Sequence, residues 1–169
     1  MERPQPTEHP AYYTSYINLV PSNDIIKALE NQMIDIQSVI SEIPEEKENY
    51  AYANGKWTIK EVLGHIIDTE RILGCRALRF ARRDKTVMPG FDENAYVANA
   101  NFKNRTLYDL AHEFAIVRGA NLALFKQFDN ETMSQLGNVN GNIMTVLSVL
   151  YMIAGHTTHH INVIKSKYL

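Results

Sequence analysis

The chain has 169 residues, 45% hydrophobic and 21% charged, a balance that suits one soluble domain with a sizeable core. A formal net charge of −2 gives no electrostatic basis for binding nucleic acid or an anionic membrane, and a single cysteine, Cys75, excludes an internal disulfide. No apolar run reaches the roughly 20 residues of a membrane-spanning helix, and Met1-Glu2-Arg3-Pro4 lacks the apolar stretch of a signal peptide, so a cytoplasmic protein is expected.

Residues 1–21 carry Pro4, Pro6, Pro10 and Pro21 with Tyr12, Tyr13 and Tyr16. That proline density argues against a regular helix and predicts an extended arm across the domain, with the tyrosines as packing residues. Ser22 or Asn23 can cap a first helix to about Glu42, whose apolar side includes Ile25, Leu29, Met33, Ile36 and Ile40. Pro44 stops it.

The second helix has the clearest start. Thr58 and Glu61 form a capping box, and Trp57 can staple onto Val62. Its stripe (Ile59, Val62, Leu63, Ile66, Leu73, Ala77, Phe80) runs to near Arg83. His65 lies on the flank of that stripe and Glu70 near its centre, while Asp68 points away. A carboxylate in a core stripe needs a partner, so Glu70 is either the buried mate of an Arg or Tyr or a functional group. Arg76, Arg79 and Arg83 share one face near the helix C-terminus, where the macrodipole favours cations, and a solvated face accounts for the cluster.

Residues 84–104 form a long connection with a turn at Pro89-Gly90 and a short helix from Glu93 to Ala100. Such a segment suits either a lid over a site or a crossover of the bundle. Thr106 and Asp109 open a third helix with a long apolar face from Leu107 to Phe128; His112 points away from that face. The Gly- and Asn-rich stretch from Gly137 to Asn142 reads as a loop, and no strand alternation is evident. A last helix spans Met144 to Ser166. Four long amphipathic helices in one domain, residues 1–169, make an all-α four-helix bundle.

The last helix contains Gly155-His156-Thr157-Thr158-His159-His160. At about 100° per residue His156 and His160 lie roughly 40° apart on the apolar stripe, with His159 at its edge. Either histidine alone reads as a hydrogen-bonded core residue. The pair reads as half of a metal site, because two neighbouring buried imidazoles each need a polar partner. A catalytic zinc takes three protein ligands, and His65 is the third by elimination, since His112 faces outward and His9 lies in the arm. Glu70, Asp68 and His159 are then the candidate catalytic residues for proton transfer. The His-Glu-x-x-His motif of zincin proteases and the paired Glu-x-x-His of di-iron bundles are absent.

The stretch from Gly55 to Arg71 and the element from Ala154 to His160 resemble the DinB-like superfamily, as do Pro89-Gly90-Phe91-Asp92 and the arm from Arg3 to Pro21. The resemblance implies an up-down-down-up bundle, usually a homodimer, with a divalent metal, commonly zinc or nickel, on His65, His156 and His160. It also implies relatives that are metal-dependent hydrolases, or transferases using a low-molecular-weight thiol such as bacillithiol or mycothiol. Thr157-Thr158 stands where relatives often carry Glu and an apolar residue.

Two function classes follow. An enzyme would use the metal to activate a thiol or water against a small-molecule substrate, as an S-transferase or hydrolase. A non-catalytic bundle would bind metal or a ligand for sensing or dimerisation, its fourth coordination position closed by His159 or Glu70. A bundle without metal is the plainest alternative. If the Arg71 to Arg83 region borders the site, it offers a docking surface for the carboxylates of a cofactor thiol.

Overall fold

A computed structural model describes residues 2–169. In chain order the elements are α1 (Thr14–Ile17), α2 (Ile25–Ser41), α3 (Ile59–Ala81), α4 (Glu93–Asn99), α5 (Leu107–Phe125), α6 (Asn130–Met133), β1 (Leu136–Val139), β2 (Asn142–Thr145) and α7 (Val146–Lys167). The long helices α2, α3, α5 and α7 form the bundle, and side-chain caps fix where each begins. Asp24, rather than Ser22 or Asn23, caps α2 by accepting from the Lys27 amide at 3.0 Å. The Thr58–Glu61 capping box forms as expected, Thr106 caps α5, and Thr145 caps α7.

Contacts along the helices set their directions. Glu70 of α3 meets Arg118 of α5, and further on Gly74 meets Asn121, so α3 and α5 run parallel. Phe80, in the last turn of α3, lies against Gly137, shortly before α7 begins, whereas His65 meets His156 well along it, so α3 and α7 are antiparallel. Tyr151 reaches the backbone of Ser22 while Gln32 reaches Thr158, so α2 and α7 are parallel. This is the up-down-down-up bundle, and residues 82–106 supply the crossover that two successive parallel helices require.

Two expectations are modified. The arm does cross the bundle, but as helical turns at Pro6–Glu8 and Ala11–Tyr13 that lead into α1, because Pro6 sits in a first turn, where no amide donor is needed. The stretch read as a loop is an antiparallel hairpin, with Leu136 opposite Thr145 and Val139 opposite Asn142. Its Asn140-Gly141 turn has φ of 55° and 85°, the left-handed pair that an Asn-Gly hairpin turn uses.

The core forms two clusters, one around Leu73, Phe80, Phe125 and Leu150 and the other around Ile36, Ile66, Phe114 and Ile161. Gly155 lets the arm dock: a Cβ there would lie 2.1 Å from the Tyr16 carbonyl oxygen, so any side chain would force α1 off α7. No helix among the described residues is long and apolar enough to cross a membrane.

Candidate metal centre

His65 projects from the second turn of α3, and His156 and His160 project one turn apart from α7. The antiparallel pairing of these helices brings the three rings together. The His65 and His160 Nε2 atoms lie 2.9 and 3.1 Å from His156 Nε2, and one ligand atom from each of the three rings falls within a 4.8 Å cluster. Tetrahedral ligands at about 2.05 Å from zinc stand roughly 3.3 Å apart, so the spacing suits a single ion. The donor set points the same way. A neutral imidazole nitrogen either donates once or accepts once, yet His156 Nε2 faces two other nitrogens, an arrangement that a shared cation resolves.

Burial keeps these rings neutral. Desolvation lowers the pKa of His65 to about 4 and that of His160 to about 3, and it holds His156 well below the ordinary value. The neighbouring imidazoles depress His156 and His160 further. Neutral rings are the form that binds a metal, so no proton need be displaced at pH 7.

The centre opens into a cavity of about 460 Å³, whose lining includes Tyr13, Tyr16, Trp57, His65, Thr69, Leu73, Arg76, Phe91, Glu93, His156 and His160. That volume suits a small molecule. The Trp57 ring lies 4.7 Å from that of His65 and closes one side, and the arm closes another through Tyr13 and Tyr16. The arm's tyrosines therefore line the site as well as pack.

Of the other candidates, Glu70 and Asp68 lie away from the histidine cluster and His159 lies at its edge. Glu70 is buried on the opposite flank of α3 in a two-pronged ion pair with Arg118: Nε donates to Oε1 and Nη2 to Oε2, each at 2.7 Å. Arg118 is 0% exposed and also donates to the Leu29 carbonyl, Gln32 Oε1 and Thr157 Oγ1, so its five N–H groups meet five acceptors. Of the two sequence readings of Glu70, the structure matches the buried mate of an arginine. Thr157 and Thr158 have work in this network too, since Thr158 Oγ1 accepts from Gln32. Asp68 is half-buried beside Arg71, 4.0 Å away, and faces Glu113 of α5 rather than the cavity. Burial raises its pKa, partly offset by Arg71. His159 packs edge-on against Tyr16 and against His160, with ring centroids 5.3 and 4.9 Å apart, and lines a 290 Å³ cleft that shares Trp57 and His160 with the larger cavity. Among the described residues, the cluster of potential ligand atoms comprises His65, His156 and His160 and includes neither His159 nor Glu70.

Several cavity groups escaped the sequence pattern. Glu93, the first residue of α4, is the carboxylate at the histidine end, where its charge partly offsets the depression of the His65 pKa. Its position after the Asp92 cap is a local signal, but only the crossover brings it to α3. Thr69 and Arg76 follow His65 along α3 at spacings that return to the same face. Arg76 is 6% exposed and not part of a solvated surface; Arg79 and Arg83 do fit that description, pairing with Asp84 and Glu131.

An all-α bundle with a three-histidine centre facing a cavity is the class that the fold and site define. The DinB superfamily profile matches residues 28–164, and the chain belongs to that superfamily. Among solved structures it is similar to YfiT from Bacillus subtilis, described as a probable metal-dependent hydrolase with an unusual four-helix bundle topology. The TM-score is 0.74 at 18% identity, over 83% of this chain and 82% of that one. No curated protein sequence matches the chain.

Proposed function

We propose that this protein is a metal-dependent enzyme in which His65, His156 and His160 hold one divalent ion, zinc or nickel. The observation that carries the reading is the convergence of three neutral, largely desolvated imidazoles on a cavity sized for a small molecule. A divalent ion bound there supplies Lewis acidity, lowering the pKa of a water or thiol into the neutral range.

The chain's own residues do the rest. Glu93 accepts the proton that the nucleophile gives up, a role for which it is the one carboxylate among the residues lining the cavity. Trp57, Tyr16 and Phe91 wall the cavity, while Glu93 is solvent-exposed and can pass the proton on to bulk water. Glu70 and Arg118 position: they hold α3 against α5, and His65 with it. Hydrolysis and S-transfer from a low-molecular-weight thiol both fit this arrangement, and the superfamily resemblance favours the thiol. Assembly as a homodimer belongs to the same reading, and sedimentation velocity tests it.

Elemental analysis of the purified protein beside its His156→Ala/His160→Ala variant is the deciding experiment. About one zinc or nickel per chain, lost in the variant, supports the proposal and warrants assays with thiols and with hydrolysable esters and amides. No metal in either protein after incubation with excess zinc and nickel sinks it. Given a metal, Glu93→Gln is expected to lower kcat about 10²-fold or more while leaving metal content at the wild-type level.

A further inference from the structure

Arg76 is the anomaly of the charged residues. It is 6% exposed, and among the described residues no carboxylate lies within ion-pairing distance of it. Its Nη2 donates to the Pro89 carbonyl at 2.9 Å. The Tyr13 phenol also lies within reach of Arg76. A guanidinium has five N–H donors and keeps its charge at any physiological pH, so one carbonyl and a neutral phenol leave that charge without a counter-charge. Arg118, also buried in the same bundle, shows what a satisfied one looks like. Arg76 lines the same cavity as the three histidines.

Thr69 supplies a second, independent observation. Its Oγ1 is buried without any hydrogen-bond partner, alone in this among the described residues, and it too lines the cavity. Residues 65, 69, 73 and 76 lie on one face of α3, so histidine, hydroxyl, leucine and guanidinium succeed one another along a single wall. At 1.5 Å per residue, the first and last stand about 16 Å apart along the helix axis. Between them Leu73, Met152 and Phe91 make the lining apolar.

Resting on the metal-site reading above, we propose that the cavity takes an elongated small molecule whose reacting end meets the metal and whose far end is a carboxylate held by Arg76. Thr69 Oγ1 bonds a polar group partway along it. A carboxylate matches the fork of a guanidinium and restores the missing counter-charge, and Tyr13 beside Arg76 stays a neutral phenol, its pKa pushed up to about 12 chiefly by burial. The Pro89 carbonyl holds the guanidinium in place and ties the recognition of the anion to the crossover that also delivers Glu93.

The test uses hydroxamic acids, which bind divalent metals through one end, with either a carboxylate or a primary amide at the other end of alkyl chains of increasing length. Affinities are measured by calorimetry on the zinc-loaded protein and by ligand-observed NMR on the metal-free protein. At one chain length the zinc-loaded wild type is expected to bind the carboxylate about 10- to 100-fold more tightly than the amide. Arg76→Gln is expected to bring the two to parity without weakening the amide, and Arg76→Lys to retain part of the preference. Equal affinities for carboxylate and amide at every length in the wild type, which needs no variant, overturn the proposal. If zinc strengthens neither ligand, the metal reading is what has failed. The metal-free protein then decides the anion site, with a preference removed by Arg76→Gln sustaining it and parity overturning it.

Discussion

Two buried polar clusters lie on opposite flanks of α3, and they differ in how completely they are satisfied. Around Arg118 every donor has an acceptor, the charges cancel, and four helices are tied together through Leu29, Gln32, Glu70 and Thr157. Around His65 the rings are neutral but crowd one another, Thr69 has no partner, and Arg76 has no counter-charge. Burial is nearly the same in both. A closed network specifies packing, whereas an open one facing a cavity marks where something else binds.

Breaking the closed cluster has the largest expected cost. Glu70→Gln leaves the Arg118 charge buried without its mate and should cost about 3–5 kcal/mol in urea unfolding at pH 7, with metal content unchanged in whatever remains folded. If Glu70 were instead the catalytic base, the variant would stay near wild-type stability and lose activity. The open cluster should respond in the reverse sense. His156→Leu in the metal-free protein should leave stability at or above wild type, since a crowded imidazole gives way to an apolar side chain. The same variant should lose the stabilisation that a ligand confers by mass action, about 4 kcal/mol at a thousandfold excess of zinc over its Kd.

The dependence on pH sharpens the contrast. The folded state holds His65 near pKa 4 and His160 near 3, while the unfolded chain titrates near 6.5. Between those values the unfolded chain binds more protons, so the metal-free protein is most stable above about pH 6.5 and weakens as pH falls toward 4. A variant with all three histidines replaced by leucine should show a flatter profile over that window when the two are compared by thermal melting. The smallest effect is expected of Thr157→Val, about 1 kcal/mol for one of the five Arg118 hydrogen bonds, with strong coupling to Glu70 in a double-mutant cycle.

His156 and His160 were legible because imidazoles are out of place in an apolar stripe and their helical spacing puts them side by side, whereas His65 was reached only by elimination. The helix starts were legible because Thr58 and Thr106 are short-range caps. What stayed hidden depends on tertiary approach. Nothing in the stretch 84–92 fixes where Glu93 will lie relative to α3. Arg76 shares its face with arginines that are solvated, and only the crossover carbonyl from Pro89 distinguishes it. The hairpin had a local signal in Asn140-Gly141, outweighed by the polarity of the residues around it. Glu70 could be given two roles because its mate, Arg118, is 48 residues away.

The ion pair also fixes a rotational phase. Glu70 is five residues from His65, so α3 cannot turn about its own axis without withdrawing one from Arg118 and the other from α7. A single residue inserted between them would swing one side chain about 100° relative to the other, so that the bundle could keep its buried salt bridge or its histidine cluster but not both. Insertions in the lineage of this chain are accordingly expected in the crossover and the hairpin, and excluded from these two turns of helix.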